Sequence, residues 1–279
     1  MAKITRHEDE RLHIEGRFMR ESLVDRRVIA GTTTDEELRI LPDFDLIGIG
    51  GQSIFDRGRD ALFPLVAEIA ELHRTRRLVL GVGGGTRVRH TYAIGLDLGL
   101  PTGGLAQLAG AMEEQNAIML QALLARHGSI LMAREHFWEL PLYLSSGMIP
   151  IVISIPPYHF WEPPPEGGPL PGHGSDFGLF IVAEVLGLHR LILLKDVDGL
   201  YTEDPKQNDQ AELVPRIGAR ELLASQHGEL VVDRQLVQAL ARARNVEEVR
   251  IVNGLVPGNL TRALAGETIG TTLVREGGR

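Results

Sequence analysis

The sequence contains no cysteine. Disulfides, thiolate metal sites and cysteine nucleophiles are therefore excluded, and a reducing cytoplasmic location is expected. The sequence also lacks any run of the roughly 20 apolar residues that a membrane helix requires. The charged stretch from His7 to Arg11 does not resemble a secretory signal. These absences predict a soluble protein with no membrane partner.

Positive charge is also scarce. The chain has 29 Lys and Arg residues against 37 Asp and Glu residues, for a formal net charge of −8. No segment gathers lysine and arginine into a stripe, so a nucleic-acid partner is not expected. Any anionic ligand must be held locally, by backbone amides and a few well-placed cations.

Short apolar runs alternate with amphipathic helical stretches along the chain. Strands are predicted at 45–51, 78–82, 129–133, 149–155, 191–195 and 249–252, and helices at 58–73, 105–126, 175–186 and 233–244. This alternation predicts right-handed βαβ units, an α/β fold and a central, mostly parallel sheet with helices on both faces. We expect an N-terminal extension over residues 1–40 and a single domain over 41–279.

Two strand ends are rich in glycine: Gly50-Gly51-Gln52-Ser53 and Gly83-Gly84-Gly85-Thr86. Each could present backbone N–H groups to a phosphate at a helix N-terminus. A single cluster is equally well explained as a turn, and neither has the spacing of a P-loop or a dinucleotide fingerprint. Their combination with Asp176 and with the stretch from Lys195 to Tyr201 favours a phosphate site beyond the carboxyl ends of the strands.

These motifs, in this order, resemble the amino acid kinase superfamily and its uridylate kinases in particular. The resemblance runs from about Asp45 to Val274 and includes Lys195-Asp196-Val197-Asp198-Gly199-Leu200-Tyr201-Thr202-Glu203-Asp204-Pro205 and Val256-Pro257-Gly258-Asn259-Leu260. Within the superfamily the sequence is most similar to molybdenum storage proteins, and to their beta-type subunits. That similarity is carried by Ile49-Gly50-Gly51-Gln52-Ser53, Pro156-Pro157-Tyr158 and the stretch from Val252 to Leu264.

The resemblance implies the three-layer αβα sandwich of the amino acid kinase fold, with the substrate or cavity side in its N-terminal half and the nucleotide side in its C-terminal half. It implies an ATP-binding storage protein that accumulates molybdate or tungstate as polyoxometalate clusters inside a hexamer, formed by this chain alone or with a related alpha-type subunit. Asp176 would organise the phosphoryl-transfer centre, with Arg89 as a second candidate catalytic residue. ATP and Mg²⁺ would be held by Gly50, Gly51, Gln52, Gly83, Gly84, Gly85, Lys195, Asp198, Tyr201, Asp204 and Pro205.

The resemblance breaks at Gly48. The family carries a lysine there, whose ammonium lies against the transferring phosphoryl group. Since phosphoryl transfer depends on positive charge at the transition state, loss of one well-placed donor costs roughly 10²–10³ in rate. Arg87 or Arg89 could replace that charge. We expect slow or partner-dependent ATP hydrolysis, and two alternatives stay open: a UMP kinase, or a catalytically silent nucleotide-binding regulatory subunit.

An 18-residue stretch from Pro156 to His173 contains seven prolines. It is either an exposed connection or a wall of the storage cavity. Imidazole nitrogen can ligate a metal or, when protonated, donate to an oxo cluster. His159 and His173 are therefore the candidate metal ligands, with His136 as a third. The pair Glu113-Glu114 is interpreted as a solvated helix face.

Overall fold

The computed structural model describes residues 3–6, 12–15, 38–154, 168–188, 190–203, 208, 210–225 and 230–275. The chain divides into two compact units, residues 1–38 and residues 39–279. In the first unit, strands β1 (Lys3–Arg6) and β2 (Leu12–Glu15) pair in antiparallel orientation. All the other elements described belong to the second unit.

The second unit is built on an eight-stranded sheet. Its strands are β3 (Asp45–Ile49), β4 (Leu78–Val82), β5 (Ser129–Met132), β6 (Ile149–Ile153), β7 (Arg190–Lys195), β10 (Arg216–Gly218), β11 (Glu248–Asn253) and β12 (Thr271–Val274). The spatial order is β10-β12-β11-β7-β3-β4-β6-β5, and only the β11–β12 pair is antiparallel. Strands β8 (Leu200–Tyr201) and β9 (Leu213–Val214) form a separate antiparallel pair.

Helices cover both faces of this sheet. They are α1 (Arg59–Leu72), α2 (Thr86–Asp97), α3 (Thr102–Leu124), α4 (Leu140–Ser145), α5 (Ser175–Leu186), α6 (Ala219–Ala224), α7 (Arg234–Leu240) and α8 (Asn259–Leu264). Side chains alternate between the two faces, so Leu46 packs with α5 and α7 whereas Ile47 packs with α1 and α3. The predicted three-layer αβα sandwich is confirmed. None of the described helices is long and apolar enough to cross a membrane.

Helix α5 approaches the sheet closely at a pair of glycines. Gly48 of β3 and Gly81 of β4 are partners in the parallel register, and Leu179 of α5 fills the space above both. A Cβ atom would lie 2.7 Å from a Leu179 methyl group at Gly48 and 2.2 Å from one at Gly81. Leu193 stands equally close to Gly48, at 2.7 Å. A side chain at position 48, where the resemblance predicts lysine, would therefore require Leu179 and Leu193 to shift.

Candidate functional site

A cleft of about 1070 Å³ opens where β3, β4 and β7 end. Both glycine clusters line it, although they lie more than 30 residues apart in the sequence. The other lining residues are Arg89, Ser175, Asp176, Lys195, Asp196, Val197, Leu200, Tyr201, Thr202, Glu203, Asn208, Leu230, Val231, Val232 and Asp233. Parallel strands place the turns that follow them on one edge of the sheet, which explains why these distant segments meet.

The two glycine turns pack directly against each other. At Gly51, a Cβ atom would lie 2.2 Å from the nitrogen of Gly85 and 2.7 Å from the carbonyl of Gly83. The Gly83 N–H donates to the carbonyl of Ile49 at 3.0 Å, and the Gly50 N–H donates to the carbonyl of Leu194 at 3.1 Å. Glycine is required at position 51 because two backbones approach each other there without room for a side chain.

An ion pair joins the sheet to α5 inside the cleft. The Nζ atom of Lys195, the last residue of β7, donates to both carboxylate oxygens of Asp176 at 2.8 and 2.7 Å. Asp176 is the second residue of α5, and the two side chains are only 16% and 11% exposed. Most of the positive charge of Lys195 is therefore neutralised from within the fold.

Asp233 joins this pair as a third charged group, and sequence reasoning missed it. Its carboxylate accepts the N–H of Phe177 at 3.0 Å, and it lies so close to Gly174 that a Cβ atom there would stand 2.5 Å from both oxygens. Burial, and then the negative charge of Asp176, raises the pKa of Asp233 to about 6. An aspartate directly before α7 signals a helix cap, yet this side chain turns to the first turn of α5 instead.

The variant Asp233→Asn should reveal this raised pKa as a pH-dependent gain in stability. Burial raises the pKa of the Asp233 carboxyl group from its ordinary value of 3.8 to about 6. The group therefore contributes its full stabilisation of the folded state below about pH 3.8 and loses it as the pH rises through about 6. Asparagine keeps an acceptor for Phe177 but cannot ionise. Relative to wild type, the variant should gain up to about 3 kcal/mol in unfolding free energy between pH 4 and pH 8.

Urea unfolding measured across that pH range tests this expectation. The matched control is Asp60→Asn, which makes the same change at an exposed position in the first turn of α1. A difference between Asp233→Asn and wild type that stays constant with pH would contradict the assignment.

The N-termini of both α2 and α5 carry a carboxylate from elsewhere in the chain. Asp56 accepts the Thr86 N–H at 2.6 Å and the Thr86 hydroxyl at 2.7 Å, at the start of α2. Asp233 holds the corresponding position at α5. One backbone donor at the start of each of these helices is therefore already engaged by a carboxylate of the chain.

The turn after β3 is tied on both sides by consecutive residues. Asp56 reaches Thr86 as described, and Arg57 forms an ion pair with Asp196 at 2.5 Å while its Nε atom donates to the Ser53 carbonyl at 2.9 Å. Asp196 follows β7 directly, so the turn bridges the neighbours of β3 on either side of the sheet. Neither partner is near in sequence, so the motif Asp56-Arg57-Gly58 does not reveal this role by itself.

Known proteins share both this fold and much of this sequence. The amino acid kinase family model matches residues 46–253. The chain belongs to the amino acid kinase family. It is 43% identical to the molybdenum storage protein subunit beta of Azotobacter vinelandii over 260 residues, which cover 93% of this chain and 96% of that protein. It is 30% identical to a uridylate kinase of Thermofilum pendens over 202 residues, which cover 71% of this chain and 80% of that protein.

Solved uridylate kinases show the same architecture. The enzyme from Archaeoglobus fulgidus superposes with a TM-score of 0.64 at 20% identity, covering 83% of this chain and 100% of that one. UMP kinase from Bacillus anthracis superposes with a TM-score of 0.63 at 17% identity, and the match covers 84% of this chain and 97% of that one. At these identities the likeness establishes the fold alone.

Of the described residues carried over from the family, Asp198 alone does not line the cleft. Its Oδ1 atom accepts a hydrogen bond from the Nδ2 group of Asn253 at 2.8 Å. Tyr201 does line the cleft, and burial together with the charge of Asp198 raises the pKa of its hydroxyl. Gln52 and Arg89 line it as well. Asp204 and Pro205 fall outside the described residues.

The predicted histidine ligands do not form a metal centre among the residues that can be described. The Nδ1 atom of His136 lies 2.6 Å from a carboxylate oxygen of Glu139, and this bond raises the pKa of His136. His173 stacks on Phe177 with ring centroids 4.8 Å apart. Within the described part of the chain, no three histidine or acidic side chains are grouped closely enough to hold a metal ion. His159 lies outside that part, so histidine ligation stays a prediction.

The interpretation of Glu113-Glu114 as a solvated pair is wrong for its first member. Glu113 is 2% exposed and turns inward on α3, where a Cβ atom at Gly84 would stand 3.4 Å from its side chain. Three residues further along the same face, Asn116 is fully buried. Adjacent helix positions point about 100° apart, and the sequence did not reveal that this helix packs behind the second glycine turn.

Proposed function

We propose that this chain is an ATP-binding subunit of a storage protein that accumulates molybdate or tungstate as oxo clusters. It would work in an oligomer, built from copies of itself or with a related alpha-type subunit. The observation that carries the proposal is the 43% identity to a molybdenum storage subunit, which extends over 93% of this chain and 96% of that protein. That match is higher and longer than the match to the uridylate kinase of Thermofilum pendens, which is 30% identical over 71% of this chain.

The geometry at Gly48 supports storage over fast phosphoryl transfer. Methyl groups of Leu179 and Leu193 lie where the Cβ atom of a strand lysine would stand. The remaining cation near the sheet centre, Lys195, is already paired with Asp176. A polyphosphate can therefore be bound by backbone donors, but among the described lining residues Arg89 is the one cation without an ion-pair partner that could serve the transition state. We infer slow hydrolysis, or hydrolysis that depends on a partner subunit.

Magnesium would arrive together with the nucleotide. Asp196 and Glu203 line the cleft and offer carboxylate oxygens, which this hard cation prefers. The described residues contain no ready group of three acidic or histidine ligands, so phosphate oxygens and water must complete the coordination shell. Bound there, the ion would neutralise part of the phosphate charge.

Metal analysis after loading tests the storage proposal. The purified protein is incubated with molybdate and Mg-ATP, desalted and analysed, alone and together with an alpha-type partner. We expect an excess of molybdenum over subunits that disappears when ATP is omitted or when sulfate replaces molybdate. Retention of less metal than subunits under both conditions would count against storage.

UMP kinase activity is the second candidate, favoured by the relative in Thermofilum pendens and by Arg89, which lines the cleft without a bond to another described residue. A coupled assay with ATP and UMP distinguishes the two functions. Turnover above about 1 s⁻¹, the low end of typical enzymes, would establish the kinase. Tight ATP binding with neither turnover nor metal uptake would instead indicate a silent regulatory subunit.

A further inference from the structure

The second glycine turn contains four consecutive backbone N–H groups, from Gly83 to Thr86, of which two are already used. The first donates to the carbonyl of Ile49 at 3.0 Å. The last donates to the carboxylate of Asp56 at 2.6 Å. Neither is available to a ligand unless these bonds break.

The two central N–H groups, of Gly84 and Gly85, make no hydrogen bond among the residues described. The nitrogen of Gly85 lies against Gly51, so close that a Cβ atom at Gly51 would stand 2.2 Å from it. The N–H of Gly84 belongs to a peptide that a side chain of α3 contacts, and Gly84 lines the cleft. Gly84 is therefore a donor of this turn that a phosphate can use without breaking a hydrogen bond among the described residues.

A buried side chain fixes the peptide to which that donor belongs. Asn116 of α3 has no exposed surface, and its Nδ2 group donates to the Gly83 carbonyl at 2.5 Å. Its Oδ1 atom accepts a hydrogen bond from the guanidinium of Arg87. Because both ends of the amide are engaged, the side chain is held in one orientation.

The direction of the Gly84 N–H follows from peptide geometry. The peptide between Gly83 and Gly84 is trans, so its C=O and N–H point in opposite directions. Asn116 holds the C=O towards the buried side, at α3, and the N–H consequently points away from α3. Two adjacent glycines have no side chains to hold this peptide, which would otherwise rotate easily.

We propose that Asn116 is a positioning residue that aims the Gly84 N–H at a phosphate group of the bound nucleotide. The inference rests on the proposed nucleotide binding in this cleft. Asn116 does not touch the ligand; it acts through the Gly83 carbonyl. The chain thereby supplies one backbone donor of fixed direction beside two helix starts at which Asp56 and Asp233 each already engage one N–H.

The test compares two variants with the same chemical change one residue apart. Asn116→Asp keeps the size of the side chain and an acceptor for Arg87 but loses the N–H donor to the Gly83 carbonyl. Gln115→Glu adds the same charge on the exposed face, where Gln115 also accepts from Arg87, at 3.0 Å. Calorimetric binding of Mg-ATP and of pyrophosphate is measured for both variants and the wild type.

We expect Asn116→Asp to bind both ligands about tenfold more weakly, the effect of one misaligned hydrogen bond to a charged group. Gln115→Glu should stay within about twofold of wild type, because its charge is exposed and screened. Equal losses in the two variants would overturn the positioning role while leaving nucleotide binding intact. Absence of binding in the wild type would overturn both the proposed function and this inference.

A second measurement needs only the wild-type protein and covers the case in which Asn116→Asp fails to fold. Backbone-assigned NMR spectra are recorded during titration with pyrophosphate. The Gly84 amide proton should move downfield on binding, as expected for a new hydrogen bond to a charged oxygen. A Gly84 resonance that does not move at saturation would overturn the proposal.

Discussion

Replacing Gly48 with lysine should lower the unfolding free energy by about 1–3 kcal/mol, as overpacking of a tight interior does. The new Cβ atom alone would stand 2.7 Å from methyl groups of both Leu179 and Leu193. The ammonium group would add the cost of placing a charge between α5 and the sheet. Urea unfolding monitored by circular dichroism measures the loss.

Two further variants make this prediction specific. Gly104→Lys introduces lysine on α3, where the nearest atom to a new Cβ would be 3.6 Å away, and it should leave stability within about 1 kcal/mol of wild type. The double variant Gly48→Lys with Leu179→Ala should lose less than the sum of its two single changes, because the second removes the obstructing methyl groups. Additive losses would show that Leu179 does not block position 48.

Replacing Lys195 with methionine should have a second large effect, on stability and on nucleotide affinity together. Methionine keeps the length of the side chain but leaves Asp176, 11% exposed, without its counter-ion. Breaking such a pair from one side typically costs about 3–5 kcal/mol. The pKa of Asp233, which Lys195 lowers, should rise further in the variant. Chemical unfolding and Mg-ATP calorimetry follow both effects.

Arg89→Met provides the matched comparison for Lys195→Met. It removes one positive charge from the same cleft, but Arg89 has no ion-pair partner among the described residues. Its loss should weaken Mg-ATP binding while changing the unfolding free energy by less than about 1 kcal/mol. If Lys195→Met and Arg89→Met had the same unfolding free energy, Lys195 would have no special role in compensating the charges of Asp176 and Asp233.

Apolar periodicity predicted most of the sheet and the convergence of its glycine turns. Continuous apolar runs such as 78–82 and 149–153 are typical of strands covered on both faces. Two C-terminal elements were missed: α8, which has only six residues, and β12, which runs antiparallel to β11. Short elements of this kind are specified by their neighbours more than by their own sequence.

The polar partners within the cleft were beyond sequence reasoning for a different reason. Asp233 lies 56 residues from Phe177, and Asn116 lies 33 residues from Gly83. Each makes a contact that depends on how closely a helix packs against a turn, which local patterns do not encode. Gly48 shows the same limit: its sequence signalled a missing lysine, but only packing shows that Leu179 takes up the room.

The carboxylates of Asp56 and Asp233 give the cleft its own internal counter-anions. One backbone donor at the start of each of α2 and α5 is engaged within the chain itself, so neither helix relies on a bound phosphate for that contact. The first turns of both helices should therefore keep their shape whether or not a ligand is bound.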